Sequence, residues 1–182
     1  MLKIFTKISD KIANPLLKQF MQDQNLRDLF TKREFRITED FFQRELISGG
    51  DDDDIRELEV RFHDGYGEIT GKVRKKPLPF DIPFLARLSV QRVDFTPEGK
   101  ELVLKVDEVK PFSLNWVTAR IVGRVPFLTW QEGSIICDLA RIPKLAPLFG
   151  ASVKGIHPLD FVTLRDVTFQ PGALVGRVKV VL

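Results

Sequence analysis

From residue 55 onward the chain alternates apolar and polar residues in paired runs joined by short turns. That pattern is met by an antiparallel sheet built from hairpins and by little else. ELEVRFH (57–63) and EITGKVR (68–74) flank a turn centred on Asp64-Gly65, a pairing that favours a hairpin. FLARLSVQRVDF (84–95) meets KELVLKVDEV (100–109) across Thr96-Pro97-Glu98-Gly99. DFVTLRDVTF (160–169) meets ALVGRVKVVL (173–182) across Gln170-Pro171-Gly172. Each first strand ends in one phrase, Val-x-Phe running into a glycine turn: VRFHDG from Val60, VDFTPEG from Val93 and VTFQPG from Val167. The first and last are echoes over a longer span, since both hairpins close on Gly-Lys/Arg-Val.

Alternate strand residues share a face. Val60 and Phe62, Val93 and Phe95, and Val167 and Phe169 are therefore expected to place equivalent apolar pairs on one sheet face. Such a wall is either core beneath the N-terminal helices or a surface that holds an apolar ligand. The segment PLPFDIPF adds to it, because Leu78, Phe80, Ile82 and Phe84 alternate while Pro77, Pro79 and Pro83 bar a central strand position. Phe80 and Phe84 thus join the expected apolar wall.

Ahead of the sheet the spacing predicts helices. In residues 2–13, Leu2, Ile4, Phe5, Ile8 and Ile12 share one half of a helical wheel, and Lys3, Lys7 and Lys11 lie on the other. Asn14-Pro15 marks the start of a second helix running towards residue 33. ITEDFFQRELISGG fits a third, capped by Thr38, favoured by Glu39 and Asp40 in its first turn and stopped by Gly49-Gly50. SLNWVTARIVG suits helix or strand equally, GSIICDLA reads as a strand, and Pro143 and Pro147 limit IPKLAPLFG to a short helix. The expectation is one α+β domain over 1–182, in which N-terminal amphipathic helices (1–36) pack on a curved, mostly antiparallel sheet of hairpins (37–182).

Charge is segregated along the chain. Residues 1–36 carry eight Lys/Arg against four Asp/Glu, 37–64 three against ten, and 65–182 seventeen against eleven. The run Asp51–Asp54 lacks the alternate-position ligands and turn glycine of a calcium loop, so it reads as a solvated link and no metal is expected. Lys72, Arg74, Lys75 and Lys76 form a basic cluster, but most aromatics are Phe in apolar patterns, which argues against nucleic acid.

Catalytic chemistry has little to draw on. His63 and His157 are the two histidines, Cys137 sits among apolar neighbours, and none of HExxH, CxxC, GxSxG or GxxxxGK[ST] occurs. No catalytic residue and no cofactor is expected. A lone cysteine fits a reducing compartment, and the N-terminus shows no signal-peptide pattern, so the expected location is cytoplasmic, with peripheral contact at the inner face of a membrane. Leu2, Phe5, Ile8 and Ile12 with Lys3, Lys7 and Lys11 would make that contact, with an anionic membrane or with a protein partner.

The helix ITEDFFQRELI followed by ELEVRFHDGYGEITGKV, with the closing hairpin LRDVTFQPGALVGRVKVVL, resembles the LmeA-like phospholipid-binding proteins over about residues 37–182. The resemblance implies a curved sheet wrapping a helix, as in tubular lipid-binding domains, with an apolar groove for acyl chains and no catalytic residues. Two functions follow as expectations: non-enzymatic binding of lipid or another apolar ligand, or assembly through docking of the apolar helix and PLPFDIPF edge onto a protein.

Overall fold

A computed structural model describes residues 32–48, 53–111, 114–143, 145–150 and 157–180. The helices expected over 2–13 and from Pro15 lie outside these residues up to residue 31, as do Leu2, Lys3, Phe5, Lys7, Ile8, Lys11 and Ile12. Glu34–Arg36, expected within the helical segment 1–36, are instead strand because they pair with Arg177–Val175.

The described residues form two antiparallel sheets with short helices. Strand β1 (Glu34–Thr38) is followed by helix α1 (Glu39–Ser48), then β2 (Ile55–Phe62), β3 (Gly67–Arg74), β4 (Asp81–Phe95) and β5 (Lys100–Lys110). Helix α2 (Asn115–Val122), β6 (Leu128–Gln131), β7 (Ser134–Asp138), a single-turn α3 (Ala146–Gly150), β8 (Val162–Gln170) and β9 (Ala173–Val180) complete the order. One sheet runs β2-β3-β4-β5-β7-β6 and the other β1-β9-β8, so the single sheet expected from the sequence is two. The third hairpin leaves the first two because β9 takes β1 as its other neighbour, with Ile37 opposite Leu174.

The undecided segment is helical. In α2, Val117, Thr118, Ile121 and Val122 are buried, which is the spacing of one helix face. Pro83 falls inside β4, but β5 joins β4 only from Leu85, so the proline sits where β4 has a strand on one side alone.

Helix α1 begins as its capping residues require. Thr38 Oγ1 accepts from Phe41 N at 3.3 Å, and Glu39 and Asp40 occupy the positive end of the dipole. Its polar side chains then serve the exposed edge of β2. Gln43 Nε2 donates to Leu58 O at 2.7 Å while its Oε1 accepts from Val60 N at 2.5 Å. Glu39 Oε2 accepts from Phe62 N at 2.6 Å. One helix thus replaces the strand partner that an edge lacks, which blocks pairing with another chain.

The sequence echo has a structural cause. In β2, Glu57 has φ +52° and register slips between Arg56 and Glu59, so that Glu57 and Leu58 face Gly71 alone. In β8, Asp166 has φ +52° and register slips between Arg165 and Thr168, so that Asp166 and Val167 face Gly176 alone. Both hairpins therefore carry the same two-against-one bulge. A side chain at either glycine would collide: a Cβ on Gly71 would lie 2.8 Å from Phe84 Cε1, and one on Gly176 would lie 2.7 Å from Val167 Cγ2.

The two echoing turns meet tip to tip and join the sheets. Gly65 N donates to Phe169 O at 3.0 Å, and Gly172 N donates to Phe62 O at 3.4 Å. Each turn glycine thus bonds the phenylalanine three residues before the other. The rings of Phe62 and Phe169 lie 5.0 Å apart, edge to face. A Cβ on Gly67 would come within 2.9 Å of Phe169 Cε1, so the close approach needs glycine there.

The middle phrase, VDFTPEG, behaves differently. Its turn closes through Thr96 N to Gly99 O at 2.8 Å, and Phe95 packs against Phe149 with centroids 6.1 Å apart. The joint expected three times is used twice.

Candidate functional site

The eight residues expected to form one apolar wall divide into three groups. Val60, Phe62, Phe84, Val167 and Phe169 are buried in the common core. There Phe62 meets Phe42 of α1 at 5.6 Å as well as Phe169. Val93 and Phe95 are half-buried at the margin of that core. Phe80 is 58% exposed, on the β3–β4 connection and away from the wall. Phe80 and Phe84 part company because the strand begins only at Asp81.

Register identifies what Val93 belongs to. Directly opposed residues in an antiparallel pair point to the same side. Val90 opposes Leu104 and Val93 opposes Leu102, while Leu128 opposes Cys137 and Trp130 opposes Ile135. Leu102, Leu104, Ile135 and Cys137 are all buried, so Val90, Val93, Leu128 and Trp130 share the core-facing side. They are nevertheless only half-buried. The inner face of the large sheet is therefore closed at β2 and β3, and again at Leu102 and Leu104 of β5 and Ile135 and Cys137 of β7. It is half-covered at the C-terminal half of β4 and at β6, an apolar strip interrupted in its middle. The sequence signal for Trp130 was available in FLTWQEGSIIC, where Glu132 (φ +47°) and Gly133 (φ +81°) make a two-residue hairpin turn.

At one end of the strip lies Lys100, buried against the β4–β5 turn. Its ammonium donates to Thr96 O and stands 4.9 Å from the centroid of the Phe95 ring, a cation–π contact. Burial lowers its pKa, against the opposing pull of Asp160 and Glu98. A cavity of about 290 Å³ beside it is lined by Glu98, Glu101, Asp138 and Asp160 as well as Phe149 and Leu159. Four carboxylates against one lysine leave this cavity unsuited to an anion. Asp138 is already committed, accepting from Ala140 N at 3.0 Å.

The Lys100 environment carries a pH signature. Its folded-state pKa lies below the ordinary 10.5, so just below 10.5 the unfolded chain binds more protons and stability rises with pH. Below the depressed value both states are protonated and the folded protein bears the full desolvation cost. Denaturant midpoints measured across that window should climb with pH in the wild type, and Lys100→Met should flatten the climb.

The opposite face of the large sheet is polar. Tyr66 has the His63 ring stacked at 4.7 Å and the Arg87 guanidinium 4.7 Å from its centroid. Arg87 reaches Glu68 at 3.2 Å and Glu108 at 3.8 Å, and the hydrogen bond to Glu68 is the main cause of its raised pKa. His63 Nε2 is 3.3 Å from Glu68 Oε2 but off the hydrogen-bonding direction. An open groove of about 590 Å³ on this side, bordered by Thr70, Lys72, Leu85 and Lys110, is edged by the ion pairs Lys72–Glu57 (2.6 Å) and Lys110–Glu108 (2.9 Å). These contacts order a solvated face and place no nucleophile beside a base. Cys137 lies fully buried on the other side, where desolvation pushes its thiol far above the usual range.

Among the described residues, no group of three or more His, Cys, Asp or Glu is placed to hold a metal ion, and no helix is long and apolar enough to cross a membrane. Comparison of the chain with protein-family models, curated proteins and solved structures finds no match.

Proposed function

We propose that the protein is a non-catalytic binder of lipid or another apolar ligand, seated along the inner face of the six-stranded sheet. The supporting observation is that Val90, Val93 and Phe95 of β4 and Leu128 and Trp130 of β6 stay half-buried on the core-facing side, flanking the closed residues of β5 and β7. Apolar surface left half-covered beside a finished core gains by further burial, at about 0.8 kcal/mol per methylene removed from water. An acyl chain laid against either half-covered margin would continue the core outward. The likeness of residues 37–182 to LmeA-like phospholipid-binding proteins points the same way. So does the amphipathic pattern of 2–13, whose apolar side would pack on the sheet or lie in a membrane interface with its lysines towards anionic headgroups.

Native mass spectrometry of the full chain, with extraction and analysis of whatever co-purifies, tests this reading. Reproducible co-purifying phospholipid or fatty acid is the expected result. A lipid-free chain that also fails to take up added phospholipid would remove the proposal and leave assembly with a protein partner as the reading to pursue.

A further inference from the structure

The four large apolar side chains that stand most exposed among the described residues are Ile47 (60%), Leu78 (38%), Phe80 (58%) and Trp116 (41%). They come from three separate elements, and topology brings all four to the same end of the six-stranded sheet. Strand β2 begins there at Ile55, β3 ends at Arg74, β4 begins at Asp81 and β5 ends at Lys110. Leu78 and Phe80 lie on the connection between β3 and β4. Trp116 lies in the first turn of α2, a few residues past the end of β5. Ile47 arrives there because α1 runs antiparallel to β2, with Glu39 beside Phe62 and Gln43 beside Leu58. Asp54 ties this end together: its carbonyl accepts from Arg74 N at 2.8 Å and its carboxylate is 3.6 Å from Arg120 of α2. The opposite end holds the joined turns of the first and third hairpins.

Charge accompanies the apolar groups. Residues 72–80 contain Lys72, Arg74, Lys75 and Lys76, of which Lys72 pairs with Glu57 at 2.6 Å and Arg74 with Asp81 at 2.8 Å, while Asp53 and Asp54 stand at the same end before β2. Lys75 and Lys76 are exposed beside Leu78 and Phe80. Asp54 is level with Arg74, and residues 75–80 continue beyond it, so the tip of the connection is basic and apolar although its base is acidic.

We infer that this end docks on an anionic lipid surface, with Leu78 and Phe80 entering the boundary between headgroups and acyl chains and Lys75 and Lys76 on the phosphates. The composition selects lipid over protein, since lysine is depleted from the centre of protein interfaces but pairs naturally with aromatic and leucine side chains at a membrane surface. Lysine can lay its stem along the apolar layer and keep its charge in the headgroups. The docking extends the ligand-binding reading without depending on it, because it uses no residue of the inner strip.

Sedimentation with vesicles tests the docking, using phosphatidylcholine alone and phosphatidylcholine with about 30% phosphatidylglycerol. The wild type should bind the anionic vesicles, bind the neutral ones less, and lose affinity as salt rises from about 0.1 to about 0.5 M. The Leu78→Ser/Phe80→Ser variant removes two exposed groups, so its melting temperature should be unchanged while vesicle affinity falls roughly tenfold or more. Lys75→Glu/Lys76→Glu should lose anionic binding and keep whatever neutral binding exists. In Trp130→Phe, where Trp116 is the remaining tryptophan, emission should shift to the blue on adding anionic vesicles. Wild type that ignores anionic vesicles, or binds neutral ones equally well, overturns the inference. So does unchanged binding by the Leu78→Ser/Phe80→Ser variant, which would move the contact to another surface such as residues 2–13. Lipid uptake seen in the native mass spectra without vesicle binding would overturn the docking alone.

Discussion

Phe169→Ala should lower the stability of the protein by about 3–5 kcal/mol, the usual loss for a buried phenylalanine. Phe169 is 2% exposed, meets Phe62 edge to face at 5.0 Å and fills the space that Gly67 leaves open. Its carbonyl also receives the Gly65 amide, so truncation opens a cavity at the point where the two sheets are bonded together. Phe95→Ala provides the contrast. Phe95 stands in the same sequence phrase but is half-buried, and its loss should be roughly half as large or less. Urea midpoints with unchanged slopes would measure both variants. Equal losses would mean that the three phrases are equivalent after all, and the description of one joint used twice would fail.

Gly176→Ala should destabilise by about 1–3 kcal/mol although alanine ordinarily improves on glycine in a strand. The entropic gain from restricting the unfolded chain is only about 0.4–1 kcal/mol. Against it stands a Cβ placed 2.7 Å from Val167 Cγ2, inside a bulge whose partner residues cannot retreat without leaving the core. Val167→Ala removes the obstructing methyl groups and creates a cavity of its own. The double variant Gly176→Ala/Val167→Ala should therefore be more stable than the sum of the two single losses predicts, with a coupling of about 1 kcal/mol. Additive losses would show that the bulge adapts and that the glycine is there for another reason. Gly71→Ala should behave similarly, since its Cβ would meet Phe84 Cε1 at 2.8 Å and Arg56 O at 3.1 Å.

Much of the fold was legible because the long strands alternate with period two and their turns contain Asp-Gly, Pro-Glu-Gly or Pro-Gly. The three hairpins and α1 follow from those signals, with Thr38, Glu39 and Asp40 acting at the helix start as their chemistry dictates. Shorter elements were hidden. In β1 only Phe35 and Ile37 face inward, and five residues adjoining a strong helix signal give too little alternation to stand out. In β6 the four residues LTWQ alternate too briefly to stand out alone, and only the Glu132-Gly133 turn into β7 marks them. For α2, the apolar residues of SLNWVTARIVG satisfy either period, and burial of Val117, Ile121 and Val122 against the core decides for helix.

The site was legible only in part for a related reason. Residue spacing fixes which side of a strand Val60, Val93 or Val167 occupies, but not which sheet the strand joins or what covers it. The separation of the third hairpin from the first two depends on pairing between β1 and β9, residues about 140 apart in sequence. Cross-strand register puts the half-buried Val93 of β4 and Leu128 of β6 on one line, with the fully buried Leu102 of β5 and Cys137 of β7 between them. Trp130 therefore belongs with Val93 although nothing adjacent in the chain relates them.

Trp130 also offers the most direct test of the central claim. In Trp116→Phe it is the one tryptophan left in the chain, and it sits on the strip proposed to hold an acyl chain. Phospholipid brominated along its acyl chains quenches tryptophan only on contact. Titrating this variant with monomeric short-chain brominated phospholipid should quench Trp130 emission saturably, with the non-brominated lipid competing and Leu128→Glu abolishing the effect. Absence of quenching, at lipid concentrations where the chain remains folded, would contradict a lipid site on the inner face.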